Sequence, residues 1–128
     1  MIQIVPKTNL TIQDIKKLRT LCNCSISELK SASKNREVIQ EYLIFEGQWA
    51  ETRNKLKELA DDWQKADLPF SIYLSDEQAR DEFEDVASFT SYLKHLRQIE
   101  VEQQMATDLE QGYINSRDEF IEHDEDWT

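Results

Sequence analysis

Apolar residues change their spacing several times along the chain, and each change predicts an element. Ile2, Ile4 and Val5 ahead of Pro6 predict a short strand, which Pro6 ends because it has no N–H for the ladder. Ile12, Ile15, Leu18 and Cys22 then recur at helical spacing, giving one buried stripe with Lys16, Lys17 and Arg19 mostly off it. Thr11 stands at the N-cap of this helix with Asp14 three residues on, and Leu10 and Ile15 occupy the stapling positions. Ser25, Glu28, Cys24 and Leu29 repeat that arrangement fourteen residues later. Asn23 is the expected left-handed terminator of the first helix, and the second, from about Ile26 to Ser33, is expected to bury Ile26 and Leu29.

The stretch Val38 to Phe45 is rich in β-branched and aromatic residues and is closed by Gly47, which predicts a second strand. Trp49, Leu56, Leu59, Ala60 and Trp63 then mark the core stripe of a helix running to about Ala66. Pro69 blocks its continuation, and Phe70, Ile72 and Leu74 alternate with Ser71 and Tyr73 in a third strand. Residues 1–74 therefore read β-α-α-β-α-β, an α+β module with a three-stranded sheet covered by helices.

Residues 75–128 read as a helical extension, expected to pack with the first module as one domain. Ser75 and Gln78 match a third capping box, opening a helix that carries Phe83, Val86 and Ala87. A second run places Phe89, Tyr92, Leu93 and Leu96 together and continues through Ile99, Val101, Met105 and Leu109 toward Gly112. Ser116 to Glu119 opens a last short helix with Phe120 and Ile121, and the end from Glu122 to Thr128 is expected to fray.

Charge changes this picture more than composition does. Residues 1–74 carry a net +1, whereas residues 75–128 carry four Lys/Arg against sixteen Asp/Glu, a net −12. Such a surface repels duplex DNA and anionic membranes, whose binding needs cationic side chains, and steers a basic protein inward. No apolar run reaches the roughly 18 residues of a membrane span, and the first residues lack the basic-then-apolar pattern of a secretory signal. A cytoplasmic protein is expected, and the cysteine pair at 22 and 24 suits a reducing compartment.

Candidate chemistry is sparse. Cys22 and Cys24, with His95 or His123, have the residue types of a zinc site, but one intervening residue and no second pair depart from the usual ligand spacing, so packed reduced thiols are expected and no metal or cofactor. No nucleophile is tied to a base and no glycine-rich phosphate loop exists, so the chain is not expected to be an enzyme. If residues 75 onward are helical, Glu77, Asp81, Glu84 and Asp85 form one carboxylate row, able to face the Lys and Arg of a nuclease cleft. A solvated helix face would carry the same row. Asp124, Glu125, Asp126 and the aromatic Trp127 form a second acidic candidate in the tail.

At Ile15, Lys16, Arg19, Ile26, Glu28 and Lys30 the sequence resembles the C-terminal domain of the bacterial ribosomal stalk protein, which carries these residue types at these spacings. The resemblance covers about residues 1–74 and implies the same β-α-α-β-α-β order. It also implies a factor-binding surface at Lys16, Arg19, Glu28 and Lys30. Small immunity-type proteins that sit beside toxins are similar to this module. The expected function is thus a small acidic bacterial immunity protein that occludes a basic toxin or nuclease through Glu77, Asp81, Glu84 and Asp85, with the tail. The alternatives are a translation-associated factor-binding module and a phage-encoded nucleic-acid mimic that blocks a defence nuclease.

Overall fold

The computed structural model describes residues 1–22 and 24–128. Two compact units divide the chain, residues 1–86 and residues 87–128. The first unit contains β1 (Ile2–Pro6), α1 (Ile12–Leu21), α2 (Ile26–Asn35), β2 (Gln40–Tyr42), α3 (Trp49–Lys65), β3 (Phe70–Ser75) and β4 (Arg80–Glu82). The expected β-α-α-β-α-β order through residue 74 is present, but the sheet has four strands rather than three, in the antiparallel order β2-β1-β3-β4.

The register explains which residues form the core. Ile2 lies opposite both Tyr42 and Leu74, Ile4 opposite Gln40 and Ile72, and Pro6 opposite Phe70. Directly opposed residues share a face, so Ile2, Ile4, Tyr42, Phe70 and Ile72 form one apolar surface, all buried. Helices α1, α2 and α3 of the same unit bury Ile15, Leu18, Leu21, Leu29, Leu56 and Leu59. The Tyr42 hydroxyl donates to the Leu21 carbonyl at 3.2 Å, a buried bond that joins β2 to the end of α1. Pro6 ends the strand as expected: it is the last residue of β1, and the following Lys7 N–H donates to the Pro69 carbonyl at 3.1 Å.

Helix α1 starts with a complete capping box. Thr11 Oγ1 accepts from the Asp14 N–H, and Asp14 Oδ2 accepts from the Thr11 N–H. In α2 only half of that device forms, with Ser25 Oγ accepting from the Glu28 N–H at 3.1 Å. The expected terminator Asn23 lies outside the described residues. Two first-turn residues expected in the core are not there: Ile12 is 73% and Ile26 48% exposed. Leu21 and Ala32 are buried on those helices instead. Trp49 and Trp63, expected in the core, are half-buried, with Trp49 edge-on to Phe45 at 5.0 Å between ring centres.

Strand β2 is shorter than the apolar run that predicted it. Phe45 and Gly47 take left-handed backbone angles (φ 61° and 60°), outside the extended region of a regular strand.

The larger correction lies after residue 75. Ser75 does not cap a helix. Asp76 Oδ1 accepts from the N–H groups of Gln78 and Ala79 at 2.8 and 2.7 Å, and the Asp76 N–H donates to the Ala79 carbonyl. These bonds close a tight turn that sends β4 back along β3, because an aspartate that captures the next N–H groups favours a turn over a helix. The helical extension is a single helix, α4 (Val86–Glu110), and the expected last helix is one 3-10 turn, Arg117–Glu119.

Buried Ser33 is the polar joint of the first unit. Its hydroxyl donates to the Thr8 carbonyl at 3.0 Å and accepts from the Leu10 N–H at 3.1 Å, tying α2 to the β1–α1 connection. Ser33→Ala would leave both backbone groups without that partner. It is expected to lower unfolding free energy by about 1–3 kcal/mol, measured by urea titration of wild type and variant; an unchanged midpoint would show that these groups find other partners.

Candidate functional site

Three charged regions stand out, and each is positioned by a different device. The first is the β3–β4 turn with its exit. Glu77 lies in the turn, Asp81 in β4, and Glu84 and Asp85 between β4 and α4; all four are exposed. They do not form the expected helical row, since no residue from 77 to 85 is helical. The hairpin keeps them close in sequence and adds two exposed carboxylates, Asp76 and Glu82, which sequence spacing did not single out. Register places Asp81 opposite Leu74 and Glu82 opposite Tyr73, so successive acids point to opposite faces of the sheet. Arg80 is the one basic residue of the segment, and its guanidinium lies 4.0 Å over the Tyr73 ring. Asp76 is held below the ordinary carboxylate range by the Gln78 and Ala79 N–H groups, so it stays ionised as the turn forms.

The second region is the pair of helices α1 and α2. Lys16 and Arg19 on α1, and Glu28 and Lys30 on α2, are all exposed. They fall off the buried stripe Ile15, Leu18, Leu21 and Leu29, and remain available to a partner.

The third region is a C-terminal strap in the second unit. Gly112, at φ 76°, ends α4, and the chain turns back. Among the described residues Arg97, Glu100 and Asp108 of α4 are buried, and with half-buried Gln104 they recur at spacings of three, four and four, one polar stripe. The strap supplies its partners. Arg97 Nη1 donates to Asp124 Oδ1 at 2.7 Å, and Nη2 to Glu122 Oε2 at 3.0 Å and to the Asp124 carbonyl at 2.9 Å. Gln104 Nε2 donates to Asp124 Oδ1, and the His123 N–H to Gln104 Oε1. His123 Nε2 lies 2.8 Å from Asp108 Oδ2, and Trp127 Nε1 donates to Glu100 Oε1. Burial pulls the Arg97 guanidinium down, but the hydrogen bonds of Asp124 and Glu122 more than offset it, so it remains charged.

The expected frayed tail is therefore an ordered strap. Asp124 and Trp127 are spent on internal bonds and half-buried, whereas Glu125 and Asp126 are exposed, Asp126 accepting from Thr128. The signal for the strap was in the sequence: a helix with polar residues at core spacing needs polar partners from elsewhere in the chain.

No protein-family model matches the chain, and no curated protein or solved structure matches it.

Among the described residues no group of three or more His, Cys, Asp or Glu is placed to hold a metal ion. Cys22 is a buried free thiol. Cys24 Sγ lies 3.5 Å from the Ile39 carbonyl, and burial, with the neighbouring Cys22 sulfur, pushes its thiol up to about 12. At neutral pH it is a protonated, weakly nucleophilic group.

Breaking a buried, hydrogen-bonded charge cluster by removing one member costs about 3–5 kcal/mol. Arg97→Met is thus expected to release the strap while α4 stays helical. Amide exchange should accelerate across residues 113–128 with the helical circular-dichroism signal retained; unchanged exchange there would show that the bonds of Gln104, Asp108 and Glu100 to the strap suffice.

Proposed function

We propose that this chain is a protein-binding inhibitor of the bacterial immunity type, which covers a basic partner, a toxin or nuclease, with its acidic surface. The observation that carries the reading is the hairpin segment 76–85: six carboxylates, all exposed, against one arginine that is engaged with Tyr73. An acidic surface raises the on-rate of a basic protein and orients it, while apolar anchors supply most of the affinity. Exposed Glu77, Asp81, Glu84 and Asp85 would set encounter and register. In the second unit, exposed Glu125 and Asp126 offer a separate acidic pair, on a strap whose Asp124 is held by Arg97.

A second reading has an observation in its favour. The order β-α-α-β-α-β and the exposed Lys16, Arg19, Glu28 and Lys30 fit a factor-binding module similar to the ribosomal stalk C-terminal domain. It uses a different surface of opposite sign.

The two readings separate in one capture experiment from native host lysate, run at low and at raised salt with mass-spectrometric identification. The inhibitor reading expects one dominant basic protein, released by salt, lost with Asp81→Lys/Glu84→Lys and kept with Lys16→Glu/Arg19→Glu. Recovery of translation GTPases that depends on Lys16 and Arg19 would reverse the choice, and capture indifferent to both variants would reject both readings.

A further inference from the structure

The hairpin has a property that charge alone does not describe: it ends the sheet. Strand β4 pairs with β3 on one side, and among the described residues the sheet order gives it no neighbour on the other. The hydrogen bonds fix which backbone groups face outward. Asp76 bonds to Ala79 and the Phe83 N–H donates to the Ile72 carbonyl, so in the alternating pattern of an antiparallel ladder Leu74 and Asp81 form the bonded pair between them. The N–H and C=O of Arg80 and of Glu82 therefore point away from β3, along an edge where all three strand residues are exposed.

We propose that β4 is a docking edge for an extended basic segment of the partner, which joins the sheet as a fifth strand. This rests on the inhibitor reading and gives its mechanism of contact. An added strand would satisfy the four outward backbone groups of Arg80 and Glu82, the mode in which main-chain bonds supply affinity and side chains supply specificity. Charge selects the occupant. Asp81 and Glu82 project to opposite faces, and Glu77 and Glu84 flank the ends of the strand. An incoming strand with lysine or arginine at neighbouring positions meets a carboxylate on each face, whereas a second copy of β4 would bring like charges together. The acids thus exclude self-association at the edge and admit a basic strand.

The probe is an acetylated, amidated octapeptide, Lys-Lys-Thr-Thr repeated twice, whose adjacent lysines reach both faces of a strand; it is titrated into the full chain and followed by amide chemical shifts and calorimetry. Saturable binding is expected, with the Arg80 and Glu82 amides shifting most and gaining exchange protection. A copy of the peptide N-methylated at every residue keeps its charge but offers no N–H to the ladder from either edge, and should bind about tenfold more weakly or worse, the effect of losing one or two hydrogen bonds. Glu82→Pro should do the same, because it deletes an outward N–H at an edge position where proline is tolerated; its fold is checked by circular dichroism. Equal binding of the methylated peptide, binding that spares the Arg80 and Glu82 amides, or no binding of the parent peptide would each overturn strand addition. The first of these leaves the acidic-surface reading standing, whereas peptide affinity unchanged in Asp81→Lys/Glu84→Lys removes that reading itself.

Discussion

Strand β1 is held from both sides, by β2 through Ile2, Gln3 and Ile4 and by β3 along its whole length from Ile2 to Pro6. That double pairing is the constraint on which the first unit depends. It fixes Ile2 and Ile4 on the face shared with Tyr42 and Ile72, and it holds β3 in the register that leaves one edge of β3 free for β4. A one-residue slip would turn the apolar set of β1 outward and carry the acidic hairpin with it. The position of the carboxylates is thus set by a pairing many residues away in sequence.

Much of the first unit was legible because its signals are local. Thr11 with Asp14 marks the start of α1, and the alternation Phe70, Ile72, Leu74 marks β3. The misreadings have a common cause, a local pattern compatible with two structures. Ser75 and Gln78 have the spacing of a helix cap, yet Asp76 between them takes the same N–H groups into a turn, and pairing with β3 decides the outcome. Ile12 and Ile26 sit at helical spacing but in the first turn, outside the stripe their helices bury. Left-handed Phe45 truncates a run that composition alone extends as a strand.

The second unit illustrates a different limit. Apolar periodicity describes Phe89, Leu93 and Leu96 well, but it is silent about Arg97, Glu100 and Asp108, which are buried by ion pairing rather than by hydrophobicity. A buried guanidinium is tolerable only if its carboxylates are fixed in place, and Glu122 and Asp124 are fixed by the strap they belong to. Acidic residues in this chain therefore do two unlike things. Glu122 and Asp124 of the strap hold Arg97, and Glu77, Asp81, Glu82, Glu84 and Asp85 of the hairpin segment face solvent; a count of charges merges them.

The inhibitor proposal puts a partner on the hairpin rather than on the α1–α2 surface. Amide hydrogen exchange of the full chain, free and in complex with its purified basic partner, addresses it directly. New protection confined to residues 76–85, with α1 and α2 unchanged, is the expected result. Protection centred on residues 12–30, with the hairpin amides exchanging as in the free chain, would contradict it.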